Sequence, residues 1–318
     1  MTLGVGVIGA GVMGGLHARL LSEEIAGARL VAVSDPDEGR AQAASYGGKI
    51  FQKGMALIHC DAVDALILAS PDATHHELVM TALRLGKPVL CEKPLAATVM
   101  QCREIYEADS GQDLVSVGFM RRFDPCYREM KEALCHGAIG TPMLVRCAHR
   151  NRVAPSWFDG SMIISNAMVH EIDICRWLLG VEFTYVRLSS VGEAGDMILA
   201  ELQTNLGIVI SIEVFMNASY GYHVHTEIVG RDGTIAMAEP AVLRLRREGA
   251  ASAAYSSDWI RRFAESYRAQ DQAWVRAVLH NRRCSEIASA RDGLFATSYA
   301  LQIADLLTVG GGKLEIPI

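Results

Sequence analysis

Residues 3–23 read LGVGVIGAGVMGGLHARLLSE. Two overlapping GxGxxG frames lie in this stretch, Gly4-Gly6-Gly9 and Gly9-Gly11-Gly14. Only the second leaves room for a strand in front and a helix behind, with Met13, Leu16 and Leu20 at helical spacing. A dinucleotide needs that order. The first glycine makes the tight turn, the second lets a pyrophosphate approach the main chain, and the third packs helix on strand. The helix start then offers free N–H groups and a partial positive charge. Gly9, Gly11, Val12, Met13 and Gly14 are the expected phosphate-side residues. Asp35 closes the next apolar run, 21 residues after Gly14. A carboxylate there accepts both ribose hydroxyls and repels a 2′-phosphate. Pro36 follows, with no arginine beside it to hold that phosphate, so the expected cofactor is NAD. The competing role for Asp35 is a turn or N-cap before a helix over 37–46.

Beyond the loop, the first 120 residues alternate short apolar runs with helical patterns. The runs are Leu3–Ile8, Leu30–Val33, Ala65–Ala69, Pro88–Leu90 and Leu114–Val117. They lack in/out alternation, as strands buried on both faces do, and the helical crossovers near 13–24, 37–46, 74–86 and 97–110 imply a parallel sheet. The second half changes character. A strand-like stretch, Pro142–Asn151, precedes a helix over about 165–179. Strand candidates follow at Thr184–Val191, Met197–Thr204, Gly207–Val214, His223–Val229 and Thr234–Met237. Asn205-Leu206-Gly207 and Arg231-Asp232-Gly233 read as hairpin turns between them. Helices over about 257–280 and 290–308 close the chain. The expected fold class is α/β: a dinucleotide-binding domain over residues 1–120, and an α/β domain with an open, mostly antiparallel sheet over 121–318. The last helix is a candidate to pack back on the first domain.

At about 150 residues per domain, 318 residues also suggest two domains. Half the residues are apolar and 21% are charged, which excludes a disordered or fibrous chain. A net charge of −6 argues against nucleic acid as a partner. No uncharged apolar run reaches the roughly 18 residues of a membrane helix. The first charged side chain is Arg19, unlike the basic start of a secretory signal. The eight cysteines include no CxxC pair. They fit free thiols in a reducing cytoplasm better than disulfides or zinc, and no metal is expected.

Glu92-Lys93-Pro94 follows a buried run. Pro94 bars the helical region at Lys93. A lysine at the carboxyl end of a parallel strand points into the crevice where ligands bind in such sheets. Near a cationic nicotinamide and partly desolvated, its pKa is expected to fall, which suits proton transfer at a substrate hydroxyl.

These residues also carry a resemblance. VGVIGAGVMG, VSD (33–35), SPDATHHE (70–77), CEKPLA (91–96) and VHEIDICRWL (169–178) resemble the glucose–fructose oxidoreductase/inositol dehydrogenase (Gfo/Idh/MocA) family over nearly the whole chain. VGFMRRFDPCYREMK (117–131) looks most like its inositol dehydrogenase branch. The resemblance implies a Rossmann domain, a C-terminal α/β domain whose open sheet serves the active site and subunit contacts, and a homo-oligomer, tetramer or dimer. It makes Lys93 the lysine of an EKP motif, His170 an acid/base histidine and Asp173 the aspartate that trails it. Ser70, His75 and Glu92 join the cofactor side. Arg122, Asn151, Tyr220 or Tyr222, and Tyr267 fall on substrate-side positions. The family pattern has an aspartate where this chain has Asn166. Positions 166, 170 and 173 are spaced to share one helix face. An amide orients a hydroxyl but takes no proton; either His170 and Lys93 suffice, with Asn166 only positioning substrate, or the substrate, or even the activity, has drifted.

Blander roles compete at several positions. His170 alone reads as a core histidine, Asp173 as a cap or ion-pair partner, His75-His76 as a surface pair, and Arg121-Arg122 as a solvated pair. His223 and His225 share a strand face without a nearby carboxylate pattern. Arg244, Arg246 and Arg247 read as a polar sheet face or turn. Trp259, Phe263 and Tyr267 recur at i, i+4, i+8 and face a core. The expected function is NAD-dependent oxidation of a ring hydroxyl in a cyclic polyol, with myo-inositol first. Its rivals are scyllo-inositol or a glucose-type pyranose as substrate, an NAD-retaining glycoside hydrolase, and a non-enzymatic dinucleotide sensor.

Overall fold

The computed structural model describes residues 2–154, 158, 160–192, 196–238 and 244–316. Two compact units divide the chain: Met1–Phe123 with Glu265–Ser298, and Asp124–Ala264 with Tyr299–Ile318.

In the first unit, β1 (Leu3–Ile8), β2 (Ala28–Ser34), β3 (Lys49–Phe51), β4 (Ala65–Leu68), β5 (Val89–Glu92) and β6 (Val115–Gly118) run parallel in the spatial order β3-β2-β1-β4-β5-β6. A two-residue strand, Ala288–Ser289, adds antiparallel to β6 and makes the sheet seven-stranded. Every residue of β1, β4 and β5 is buried, the pattern that apolar runs without alternation imply. The helices are α1 (Val12–Glu23), α2 (Glu38–Ala44), α3 (Gly54–Ile58), α4 (His75–Arg84) and α5 (Val99–Asp109). The strand order reverses between β1 and β4, so the ligand crevice lies at their carboxyl ends.

The second unit opens with α6 (Pro125–Cys135), where Asp124 is the N-cap and Pro125 occupies the first turn. Its seven-stranded sheet combines β7 (Pro142–Arg150), β8 (Phe183–Val191), β9 (Met197–Thr204), β10 (Val209–Phe215), β11 (His223–Gly230), β12 (Thr234–Ala236) and a closing strand, Gly312–Glu315. Only β7 and β10 pair in parallel; the other neighbours are antiparallel. Burial alternates along β9 and β11, so one face is covered and the other open. A ribbon of β13 (Arg244–Arg247) and β14 (Ala250–Ala253) stands apart from it. One helical turn, α7 (Gly160–Met162), leads into a π-helical turn over Ile163–Met168 and then α8 (Val169–Leu179). Gly180, at φ +66, ends α8 in the left-handed region that favours glycine.

Two helices are shared by the units. In α9 (Trp259–His280), Phe263 is non-helical, just before the boundary that follows Ala264. In α10 (Ala290–Thr308), the boundary follows Ser298. Three expectations need correction. The helix over 165–179 is α-helical only from Val169, because the preceding turn closes by i→i+5 bonds that the 3.6-residue period does not describe. The strand at 88–90 continues to Glu92, and its buried run ends on a carboxylate instead of an apolar residue. The i, i+4, i+8 spacing of Trp259, Phe263 and Tyr267 is interrupted by the kink at Phe263, although Phe263 and Tyr267 are buried as expected.

All eight cysteines are free thiols. No helix among the described residues is long and apolar enough to cross a membrane.

Candidate active site

In the first unit the site begins at the glycine loop. Gly9 has φ +90, and a Cβ there would lie 2.6 Å from the Ala69 carbonyl. A Cβ at Gly14 would overlap the Gly9 carbonyl oxygen, so the third glycine closes helix on strand. A Cβ at Gly11 would meet no protein atom within 4 Å, which leaves that side of the loop open. Gly11 is the N-cap of α1, with no side chain over the first-turn N–H groups, and Val12 is exposed. Asp35 follows β2. Its Oδ2 accepts the Ala10 N–H at 2.7 Å and its Oδ1 the Asp37 N–H at 2.8 Å, so the carboxylate is tied to the loop itself. Asp37, not Asp35, caps α2 through the Arg40 N–H at 3.0 Å. The unit thus fits a dinucleotide: open main chain at a helix start, with a fixed carboxylate beside it.

The ends of β4 and β5 complete this half. His75 is buried, with its two ring nitrogens 2.8 Å from the Ser70 carbonyl oxygen and 2.9 Å from that of Pro94. It braces the loop after β4 against the loop that carries Lys93. Lys93 is partly buried; desolvation lowers its pKa, partly offset by the Glu92 and Asp72 carboxylates, while Arg121 lowers it further. Glu92 faces inward, with Oε1 3.2 Å from His17 Nε2 and Oε2 accepting the Lys93 N–H at 3.3 Å. Arg122 lies in a buried 3-10 turn over Met120–Phe123 and donates to Asp292 at 3.4 Å. Tyr267 also belongs to this unit, its ring edge-on to His17 with centroids 6.1 Å apart.

In the second unit, His170 and Asp173 lie three apart on α8 and are both buried. Asn166 sits one turn earlier, in the π-helical segment, where its amide donates to Ser165 Oγ at 3.2 Å. Such turns recur at functional sites because they re-aim side chains. His149 was not foreseen. It lies on the covered face of β7, two residues beyond Cys147, and its Nδ1 is 3.0 Å from Glu171 Oε2. The available signal was alternation in Cys147-Ala148-His149. Tyr222 is buried, its ring 5.9 Å from that of His149. Tyr220 is 48% exposed and bonds Arg150 and His223, so Tyr222 is the inward tyrosine of the two. Asn151 follows β7, its amide 3.2 Å from Met216 Sδ. Among the described residues, no group of three His, Cys, Asp or Glu side chains could hold a metal.

A glycine loop at a helix start, a fixed carboxylate after β2 and a desolvated lysine after β5 define the class: a dinucleotide-binding oxidoreductase with a Rossmann unit. Residues 3–119 match the oxidoreductase family with an NAD-binding Rossmann fold, and residues 127–236 match the GFO/IDH/MocA C-terminal domain. The chain belongs to the Gfo/Idh/MocA oxidoreductase family, and its cofactor is NAD. It is 47% identical over 313 residues to inositol 2-dehydrogenase 1 of Saccharopolyspora erythraea, covering 94% of this chain and 92% of the relative. The crystal structure of myo-inositol dehydrogenase from Lactobacillus casei, with NAD(H) and myo-inositol, superposes with a TM-score of 0.95. The two are 31% identical, over 100% of this chain and 98% of that one. The scyllo-inositol dehydrogenase of the same organism, with NAD(H) and scyllo-inositol, gives 0.91 at 25% identity, over 99% of each chain.

Proposed function

We propose that this chain oxidises a ring hydroxyl of a cyclic polyol, with myo-inositol the first candidate. The observation that carries the reading is Lys93: a partly buried ammonium of lowered pKa, at the carboxyl end of β5, in the unit that holds the glycine loop. Kinship with inositol 2-dehydrogenases supports the substrate class. Bound NAD supplies the hydride acceptor at nicotinamide C4. Lys93 holds the hydroxyl oxygen by hydrogen bonding, and His170 takes the hydroxyl proton as the C–H bond breaks, so alcohol and NAD give ketone, NADH and one proton. Asp173 orients His170, and Asn166 orients the substrate. Arg122, Asn151, Tyr222 and Tyr267 read the remaining hydroxyls. The chain works as a homo-oligomer, and its eight free thiols suit a reducing cytoplasm.

The test is NADH formation across inositol isomers and aldoses. Turnover is expected on myo-inositol, with weaker rates on scyllo-inositol and glucose-type pyranoses. NAD that survives purification without net NADH release, together with glycoside cleavage, would overturn the reading.

A further inference from the structure

His17 lies on α1, three residues beyond the last glycine of the loop, and is fully buried. Its Nδ1 is 2.8 Å from Asp271 Oδ2 and its Nε2 is 3.2 Å from Glu92 Oε1. A neutral imidazole has one N–H and would set a lone pair against one of these carboxylates; only the doubly protonated ring satisfies both. Asp271 requires the same charge. It is fully buried, its Oδ1 has no hydrogen-bond partner among the described residues, and Oδ2 is held by His17. A buried carboxylate is tolerable when paired with a cation. Burial opposes the charge on His17, yet Asp271 and Glu92 outweigh it and raise the pKa to about 10.

The bridge ends at Lys93. The second oxygen of Glu92 accepts the Lys93 N–H, and a Cβ at Gly118 would come within 2.8 Å of Glu92 Oε1, so the carboxylate is confined on that side. We propose that His17 is a positioning residue for Lys93: its imidazolium, clamped between Asp271 and Glu92, fixes the Glu92 carboxylate under the Lys93 main chain and sets the negative charge that the lysine faces. The inference rests on Lys93 being the group that meets the substrate hydroxyl.

The charges give opposite signs for two variants. Asp271, His17 and Glu92 together carry −1. His17→Gln removes the cation in contact with Glu92, so the lysine faces an unscreened carboxylate that holds its ammonium more tightly, whatever the charge on residue 271. Asp271→Asn leaves the His17 imidazolium on Glu92 and brings the sum to 0, which loosens it. Asp72 and Arg121, which also act on Lys93, are untouched by either change. The alkaline limb of the kcat/KM profile reports loss of the Lys93 proton. It is expected to move up by about half a pH unit or more in His17→Gln and down by a similar amount in Asp271→Asn, as one unit charge several ångströms away requires. NAD affinity is expected to stay within a few fold.

A second measurement needs no substitution. In the wild-type protein, ¹⁵N NMR of the His17 ring is expected to show both nitrogens protonated well above the ordinary histidine range. Limbs that do not move, limbs that move the same way, or a neutral His17 ring at about pH 8 would each overturn the proposal. A Lys93→Ala variant that keeps normal turnover would instead remove the proposed role of Lys93. In that case the NMR result still reports on the clamp itself.

Discussion

The Asp35 carboxylate is fixed by the Ala10 and Asp37 N–H groups, so it cannot turn away from a ribose placed over the loop. A 2′-phosphate would meet its charge head-on. Wild-type kcat/KM is therefore expected to favour NAD over NADP, and Asp35→Ala to narrow the gap; an equal ratio in the wild type would reject the assignment. At Lys93, alanine removes the group assigned to the hydroxyl oxygen and leaves the glycine loop intact. A loss of ~10²–10⁴-fold in kcat is expected, with NAD affinity unchanged within a few fold. At 166 the amide cannot raise the pKa of His170 as a carboxylate would. Asn166→Asp is thus expected to move the acid limb of the rate profile to higher pH and keep activity on the same polyol. Activity transferred to another polyol would mean that Asn166 selects the substrate.

The π-helical turn before α8 shows where periodicity stops informing. A 3.6-residue period carries Asn166 onto the face of His170 and Asp173, whereas the chain places it in a turn of wider pitch. The strands β1, β4 and β5 were legible because burial on both faces writes short, mostly apolar runs without alternation. The three-residue β3 and five-residue α3 were too short to write a period. Asp124 and Pro125, cap and first-turn proline of α6, carried a helix-start signal, yet that helix was not foreseen. Of the candidate site, the glycine loop, Asp35 and Lys93 were readable from local context. His149, His17 and Asp271 were not, since their partners lie 22, 75 and 254 residues away in sequence. The packing of α1 on β1 depends on residue 14, where a methyl group has no room beside the Gly9 carbonyl. Gly14→Ala is expected to shift α1 outward, weaken NAD binding by tenfold or more on the order of ~1–3 kcal/mol of overpacking, and lower the melting temperature. Calorimetric titration with NAD checks this, and unchanged affinity would contradict it.

At the scale of the molecule, the His17 clamp makes stability depend on pH. The folded state holds this proton up to about pH 10, against an ordinary value of 6.5. The group therefore contributes fully below about 6.5, and its contribution is lost as pH rises toward 10. Melting temperatures are expected to fall across this window, and to fall less steeply in His17→Gln, whose amide carries no proton to lose. Equal slopes would mean that the clamp adds nothing to the fold. Interleaving of the two units matters in a different way. The first unit takes Glu265–Ser298 from beyond the whole of Asp124–Ala264. On the ribosome, residues 1–123 emerge early but have neither the Asp271 carboxylate nor Trp274, which is 1% exposed in the finished fold. The nucleotide-binding half must wait, incomplete, while the intervening segment is synthesised. Vectorial folding is thereby replaced by a late, nearly simultaneous closure, and a gene truncated before codon 265 yields a chain with neither unit whole.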